Sequence, residues 1–329
     1  MRLSEFDYYL PRELIAQYPL KERGNSRLLV LKRANRTIEH RAFKDIILYL
    51  KPQDLLVVNN TKVLPCRLQG RRQTGGKVEV LLLNRKKGLT FKAMLKPARL
   101  KSGEQIIFND RKKFGIISGK DEITFSGLKI KDIYGMGVMP LPPYIKREPK
   151  KSDNITYQTV YAKKEGAIAS PTAGLHFTRQ LIKKIESQGT KIAYVTLHVG
   201  PGTFKPVKTE DIREHKMEPE HFLIPQSSAR LINQATADGG RVFAVGTTSL
   251  RAIETYANGT REGSTGLFIY PGYKFKITDC LLTNFHLPRT TLYMLVCAFA
   301  GSELILRAYK EAIENKYRFY SYGDAMLII

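Results

Sequence analysis

Four short segments in the second half of the chain set a histidine, arginine or asparagine among glycines, prolines and hydroxyl residues, directly after a strand signal or before a helix signal. Such places expose backbone amides and functional side chains together. Ser170-Pro171-Thr172-Ala173-Gly174-Leu175-His176-Phe177-Thr178 leads into a helix, so free amides suited to a carboxylate or phosphate lie beside an imidazole able to move a proton. Leu197-His198-Val199-Gly200-Pro201-Gly202-Thr203-Phe204 runs from a strand into a turn whose glycines permit close ligand approach. Val245-Gly246-Thr247-Thr248-Ser249-Leu250-Arg251 reads strand, turn, helix start, and offers amides, hydroxyls and a guanidinium to an anion. In Leu282-Thr283-Asn284-Phe285-His286-Leu287-Pro288, Asn284 and His286 are two apart and project to one side of an extended backbone, where they could meet a ribose or a base edge.

None of these is G-x-G-x-x-G or G-x-x-x-x-G-K-[ST], so the two common nucleotide fingerprints are missing. His215 and His221 flank Pro219 without the helical i, i+4 spacing of a zinc pair, and Cys66, Cys280 and Cys297 lie far apart without a C-x-x-C. No metal and no disulfide framework is expected, and reduced cytosol is the expected compartment.

The elements that must carry these turns are compact apolar runs of buried-strand length at Asp54 to Asn59, Lys191 to Leu197 and Arg241 to Val245, with helical segments nearby. Thr178 caps a helix with a stripe at Leu181, Ile182 and Ile185 that stops at Gly189. Leu292, Leu295, Val296 and Phe299 repeat at helical spacing, and Ser302 is placed to cap a further helix bearing Ile305, Tyr309, Ala312 and Ile313. Between these parts the texture changes. Short strands at Val78 to Leu83, Leu89 to Leu95, Gln105 to Phe108, Phe114 to Ile117 and Ile123 to Phe125 alternate with turns at Thr74-Gly75-Gly76, Lys86-Lys87-Gly88, Lys101-Ser102-Gly103, Asn109-Asp110 and Ser118-Gly119. That spacing predicts a small antiparallel barrel or sandwich. The fold expected is an α/β main domain of residues 1–62 and 150–329 with an inserted antiparallel β-barrel-like domain at 63–149.

The 329 residues suffice for two such units, and 43% hydrophobic with 26% charged residues is ordinary globular composition. The net charge of +24 is not ordinary. Residues 70–150 carry 19 Lys/Arg against 7 Asp/Glu, so half the surplus occupies a quarter of the chain. A field of this sign draws in polyanions, of which nucleic acid is the commonest soluble one. No window approaches a membrane span and the first residues lack an apolar signal core, so neither export nor anchoring is expected.

Taken with Leu55-Leu56-Val57-Val58-Asn59-Asn60-Thr61-Lys62-Val63, Met139-Pro140-Leu141-Pro142-Pro143-Tyr144-Ile145, Tyr157-Gln158-Thr159-Val160-Tyr161-Ala162, LFIYPGY at 267–273 and YRFYSYGDAM at 317–326, the four segments resemble the S-adenosylmethionine:tRNA ribosyltransferase-isomerase family of queuosine biosynthesis over nearly the whole length. Glu218 stands where the family commonly has histidine and Cys66 where it has alanine, and the segment between Thr255 and Ser264 is short. The resemblance implies an α/β domain with an inserted β-barrel. It also implies S-adenosylmethionine as ribosyl donor without a metal, and the anticodon stem-loop of tRNA as partner, in a cytoplasmic monomer without an obligate protein partner. Within that reading His176, His198 and His286 are the acid/base candidates. Gly246, Thr247, Thr248 and Arg251 take the methionine end of the cosubstrate, Gly200, Gly202 and Thr203 lie beside it, and Asn284 is near the sugar or base. Tyr144 and Tyr157 are stacking candidates for the extruded base, with backbone contacts from the basic insertion.

Three rivals are separable. A methyltransferase would usually show a glycine-rich loop after its first strand, and would pass a methyl group rather than ribose to RNA. A noncatalytic RNA-binding protein would release no adenine. A radical enzyme would need a cysteine triad for its cluster.

Overall fold

The structure is a computed structural model that describes residues 1–108, 113–204 and 206–329, with Thr203 and Phe204 described in their backbone only. The sequence-predicted turn at Asn109-Asp110 lies outside the described residues.

Leu55–Asn59 is buried at every position and forms the centre of the main sheet. Its neighbours Lys191–Leu197 and Val242–Val245 pair with it in parallel, and Cys280–Asn284 pairs in parallel with the latter. A parallel core of this kind is covered on both faces, which is why these strands read as unbroken apolar runs. Antiparallel Glu220–Leu223 and then Glu262–Thr265 extend one side. On the other side come Ala325–Ile328, Arg27–Lys32 and Thr37–Ala42, nine strands in all.

Alternation along the strands builds two cores. Leu29, Leu31, Leu55, Val57, Ala193 and Val195 face the helices Gln226–Ala237, Gly246–Tyr256, Thr291–Ala300 and Ser302–Glu314. Leu28, Val30, Leu56, Val58, Phe243 and Val245 face Phe43, Ile46, Phe177 and the helix Arg179–Ser187. The Thr178 side chain accepts from Leu181 N at 3.1 Å, as a cap should. Ser302 is not a cap: Gly301, at φ +86°, holds that position, and the two C-terminal helices meet there at 114°. No single helix among the described residues is long and apolar enough to cross a membrane.

The insertion is a closed antiparallel barrel of six strands. Sequence spacing locates five of them; the structure adds Arg67–Arg72, whose polar sequence buries only Leu68. Phe91, Phe108, Ile123 and Phe125 fill the interior with Ile133 and Met136 from the short helix that follows, so the barrel has a core of its own. The chain returns past Val138, which bridges back to Arg67, and Thr61–Val63 pairs in parallel with Lys164–Ala167 at the base of the insertion. Gly137 sits in this return, where an added Cβ would overlap the Pro65 carbonyl. Gly137→Ala is therefore expected to destabilise the protein by more than about 1 kcal/mol, read as a lowered urea midpoint.

Candidate active site

The four parallel strands end on one edge of the sheet, and the strand order reverses at Leu55–Asn59, whose neighbours come from residues 191 and 242. Open α/β sheets bind ligands outside the carboxyl ends of their strands at such a reversal. The fully buried Asn59 holds the edge together. Its Nδ2 donates to the Leu197 carbonyl at 2.9 Å and to Thr248 Oγ1 at 3.1 Å, and its Oδ1 accepts from Leu197 N and Thr61 N, both at 3.1 Å.

A cleft of about 500 Å³, counted to its open mouth, lies on this edge. Three of the four sequence-predicted segments meet there: Ser170 to Ala173, Gly246 to Thr248, and Thr283, Asn284 and His286. Val199 arrives from the remaining one, and Tyr144, Tyr320 and Ser321 close the opposite side. Gly246 has φ +85°, a left-handed conformation that glycine adopts at no steric cost, and it turns the strand into the helix Gly246–Tyr256. The first amides of that helix are a ready anion site. The buried Ser170 hydroxyl at the cleft has no partner among the described residues. A cleft with an anion-favouring helix start and an unused hydroxyl suits a carboxylate or another small anion.

Asn284 forms the wall at the back. Its Oδ1 accepts from Thr172 Oγ1 at 3.0 Å, and its Nδ2 donates to His176 Nε2 at 3.1 Å and to the Asp324 carbonyl at 3.4 Å. Since Nε2 accepts there, the His176 proton is on Nδ1, which donates to Ser26 Oγ at 2.8 Å. Burial, followed by the Arg318 and Arg23 guanidiniums, pulls the His176 pKa down to about 3. His176 thus faces a second cleft behind Asn284. His286 lines the first cleft, with Nε2 at 2.9 Å from Thr283 Oγ1, and burial alone lowers it to about 3. Both imidazoles are neutral at working pH.

Several candidates lie elsewhere. His198 points away from the cleft, packs where a Cβ on Gly166 would fall, pairs with Thr61 Oγ1 at 2.7 Å and stacks on His221. Burial and then His221 lower its pKa. Strand alternation explains the placement: Val199 faces the cleft, so the residue before it does not. Arg251 is also away from the cleft. It is 4% exposed, ion-paired with Glu220, and its Nε donates to the Leu267 carbonyl at 2.9 Å, so it is not free to meet a carboxylate ligand. Glu220 in turn accepts from Gly200 N at 2.8 Å, which ties the glycine turn to the sheet. Gly200 and Gly202 lie outside the cleft lining, with Gly202 against Glu218, and the Thr203 side chain lies outside the described residues. Tyr157 is wholly buried and its phenol pKa is pushed well up by that burial, so it cannot stack on a base; Tyr144 reaches the cleft, where its hydroxyl meets Ser321 Oγ.

Removing one member of the buried Arg251–Glu220 pair leaves the other charge uncompensated. Arg251→Met alone is expected to cost about 3–5 kcal/mol of stability in urea unfolding, and Arg251→Met with Glu220→Leu together clearly less. Equal losses in the single and double variants would show that the pair is not the interaction that matters.

Asn59, Ser170, Tyr320 and Ser321 stand in segments quoted from the sequence but were given no individual role there. Tyr320 adopts φ +73°, strained for an aromatic residue, and is held by Phe285 O and by Gly323 N. Its segment was visible only as part of YRFYSYGDAM. Among the described residues no three His, Cys, Asp or Glu side chains are grouped as a metal site.

Residues 3–328 match the family described as queuosine biosynthesis protein. The chain is 53% identical to the S-adenosylmethionine:tRNA ribosyltransferase-isomerase of Sulfurihydrogenibium sp. and 48% identical to that of Aquifex aeolicus, with all of both chains covered in each case. The crystal structure of S-adenosylmethionine tRNA ribosyltransferase from Thermotoga maritima superposes with a TM-score of 0.58 at 38% identity, over 99% of this chain and 100% of that one. A match of this extent, on a chain whose polar turns gather at one sheet edge, makes it a member of the queuosine biosynthesis protein family.

Proposed function

We propose that this chain transfers and isomerises the ribosyl group of S-adenosylmethionine onto 7-aminomethyl-7-deazaguanine at the wobble position of tRNA, giving epoxyqueuosine with release of adenine and methionine. The observation that carries the reading is the convergence of Ser170–Ala173, Gly246–Thr248 and Asn284–His286 on one cleft. The helix start at Gly246 and the Ser170 hydroxyl suit the methionine carboxylate, and the Asn284 amide suits the sugar or base. His286, neutral and at the cleft, suits removal of the proton from the 5′ carbon, which the adjacent sulfonium acidifies. Loss of adenine, which takes up a proton as it leaves, opens the sugar; the aminomethyl nitrogen adds to it, a carbon–carbon bond closes the five-membered carbocycle, and closure of the epoxide expels methionine. The inserted barrel, residues 63–149, is read as a domain that meets the tRNA backbone through its excess of Lys and Arg.

The test incubates the protein with ring-labelled S-adenosylmethionine and tRNA bearing the precursor base. Free labelled adenine together with a heavier wobble nucleoside is expected. A methylated nucleoside without adenine release would replace the reading with methyl transfer.

A further inference from the structure

Behind the wall formed by Asn284 and His176 lies a second cleft, of about 240 Å³, that has no part in the reaction proposed above. It is lined by His176 and Ser26, by Tyr322 and Gly323, and by the N-terminal segment with Lys21 and Arg23. Ser321 borders both clefts, so they adjoin along one line of the surface.

The charge of this cleft is one-sided. Lys21 is exposed and has no ion-pair partner among the described residues. Arg23 is held by two carbonyls, Gln158 O and Ile155 O, both at 2.6 Å, and by no carboxylate, so its position is fixed while its charge is not neutralised. Arg318 is not part of the lining; it lies close enough to depress the His176 pKa, donates to the Tyr18 carbonyl and has Asp324 as its counter-charge. Burial lowers the pKa of the Arg23 guanidinium. Just before Pro19 at the rim, the ring of Tyr18 is 49% exposed, with Arg147 4.6 Å and Lys150 5.0 Å from its centroid. An anionic group in the cleft and a flat base on Tyr18 together describe one nucleotide of a single strand.

We infer that the Lys21–Arg23 cleft binds the phosphodiester beside the modified nucleotide, with the neighbouring base stacked on Tyr18, while the modified base occupies the cleft at Gly246. The inference rests on the proposed RNA substrate. The methionine carboxylate of the cosubstrate is the other anion that chemistry would admit; the cleft is assigned to the RNA because Lys21 is exposed and the exposed ring of Tyr18 lies in the same segment.

The experiment compares wild type with Lys21→Glu, Tyr18→Ala and, as a control, Lys310→Glu on the opposite face of the sheet. It measures binding of a fluorescent anticodon stem-loop RNA against salt, binding of S-adenosylmethionine, and adenine release. Lys21→Glu is expected to weaken RNA binding about tenfold or more and to flatten the salt slope by about 0.7. Tyr18→Ala is expected to weaken it at least about fivefold. RNA binding by Lys310→Glu and the affinity of every variant for S-adenosylmethionine should stay within about twofold. Unchanged RNA binding in both cleft variants, an equal loss in the control, or a loss of S-adenosylmethionine affinity in place of RNA affinity would overturn the inference. RNA binding is read without turnover, so these outcomes differ from an enzyme that binds the stem-loop but releases no adenine, which would instead defeat the reaction proposed above.

Discussion

Replacing His286 by alanine is expected to lower the rate of adenine release at least about 10²-fold, with the affinity for S-adenosylmethionine changed less than about fivefold. Of the three candidate histidines it alone lines the cleft at Gly246. Its backbone is pinned on both sides, since its N–H donates to the Tyr309 hydroxyl at 3.0 Å and its carbonyl accepts from the Tyr8 hydroxyl. Thr283 Oγ1 fixes the ring. Burial keeps it unprotonated, the form a base requires, and the same burial weakens it as a base, which places the loss nearer 10² than 10⁴. His198→Ala, at a ring directed toward Gly166 and His221, is expected to change turnover less than about tenfold. The measurement is single-turnover adenine formation at neutral pH. Equal losses in the two variants would detach the chemistry from the cleft.

The second large effect is on stability at mild acidity. His176 and His286 are each 5% exposed, and each has its pKa lowered to about 3. Unfolded, each takes a proton below about pH 6.5; folded, it does not until about pH 3, so within that window the unfolded chain binds more protons. Their stabilising contribution is complete above about pH 6.5 and is lost as the pH falls. At about 1.36 kcal/mol per pH unit per group, the loss at pH 5 is about 2 kcal/mol for each histidine, about 4 for the pair. Urea midpoints at pH 7 and pH 5 check this, and His286→Gln should recover about half of the difference. A wild-type midpoint unchanged between the two pH values would mean that the imidazoles ionise freely in the folded protein.

How far the sequence foretold this arrangement depended on the range of the interaction involved. The barrel strands were legible because apolar alternation and glycine turns are local; Arg67–Arg72 escaped because a strand that buries little more than Leu68 carries no pattern. The turns at Gly246 and Asn284 were legible because a strand end followed by glycine and hydroxyl residues marks a carboxyl edge wherever the sheet lies. Arg251 was misjudged because its partner Glu220 is 31 residues upstream and only the sheet joins them. His198 and Val199 could have been told apart by alternation, which puts just one of the two in the cleft. Tyr320 depends on a backbone conformation, and the second cleft on residues 19–26 lying against residues 155–176, and neither leaves a local trace.

The Thr61–Val63 and Lys164–Ala167 seam and the bridge between Arg67 and Val138 bring the two connections of the barrel together at one narrow neck. A closed cylinder hung from such a neck can lengthen or shorten its far hairpin at Thr74–Gly76 without moving the register of any strand that frames the cleft. Changes of length there would alter the outer surface of the barrel and leave the carboxyl edge of the main sheet as it is.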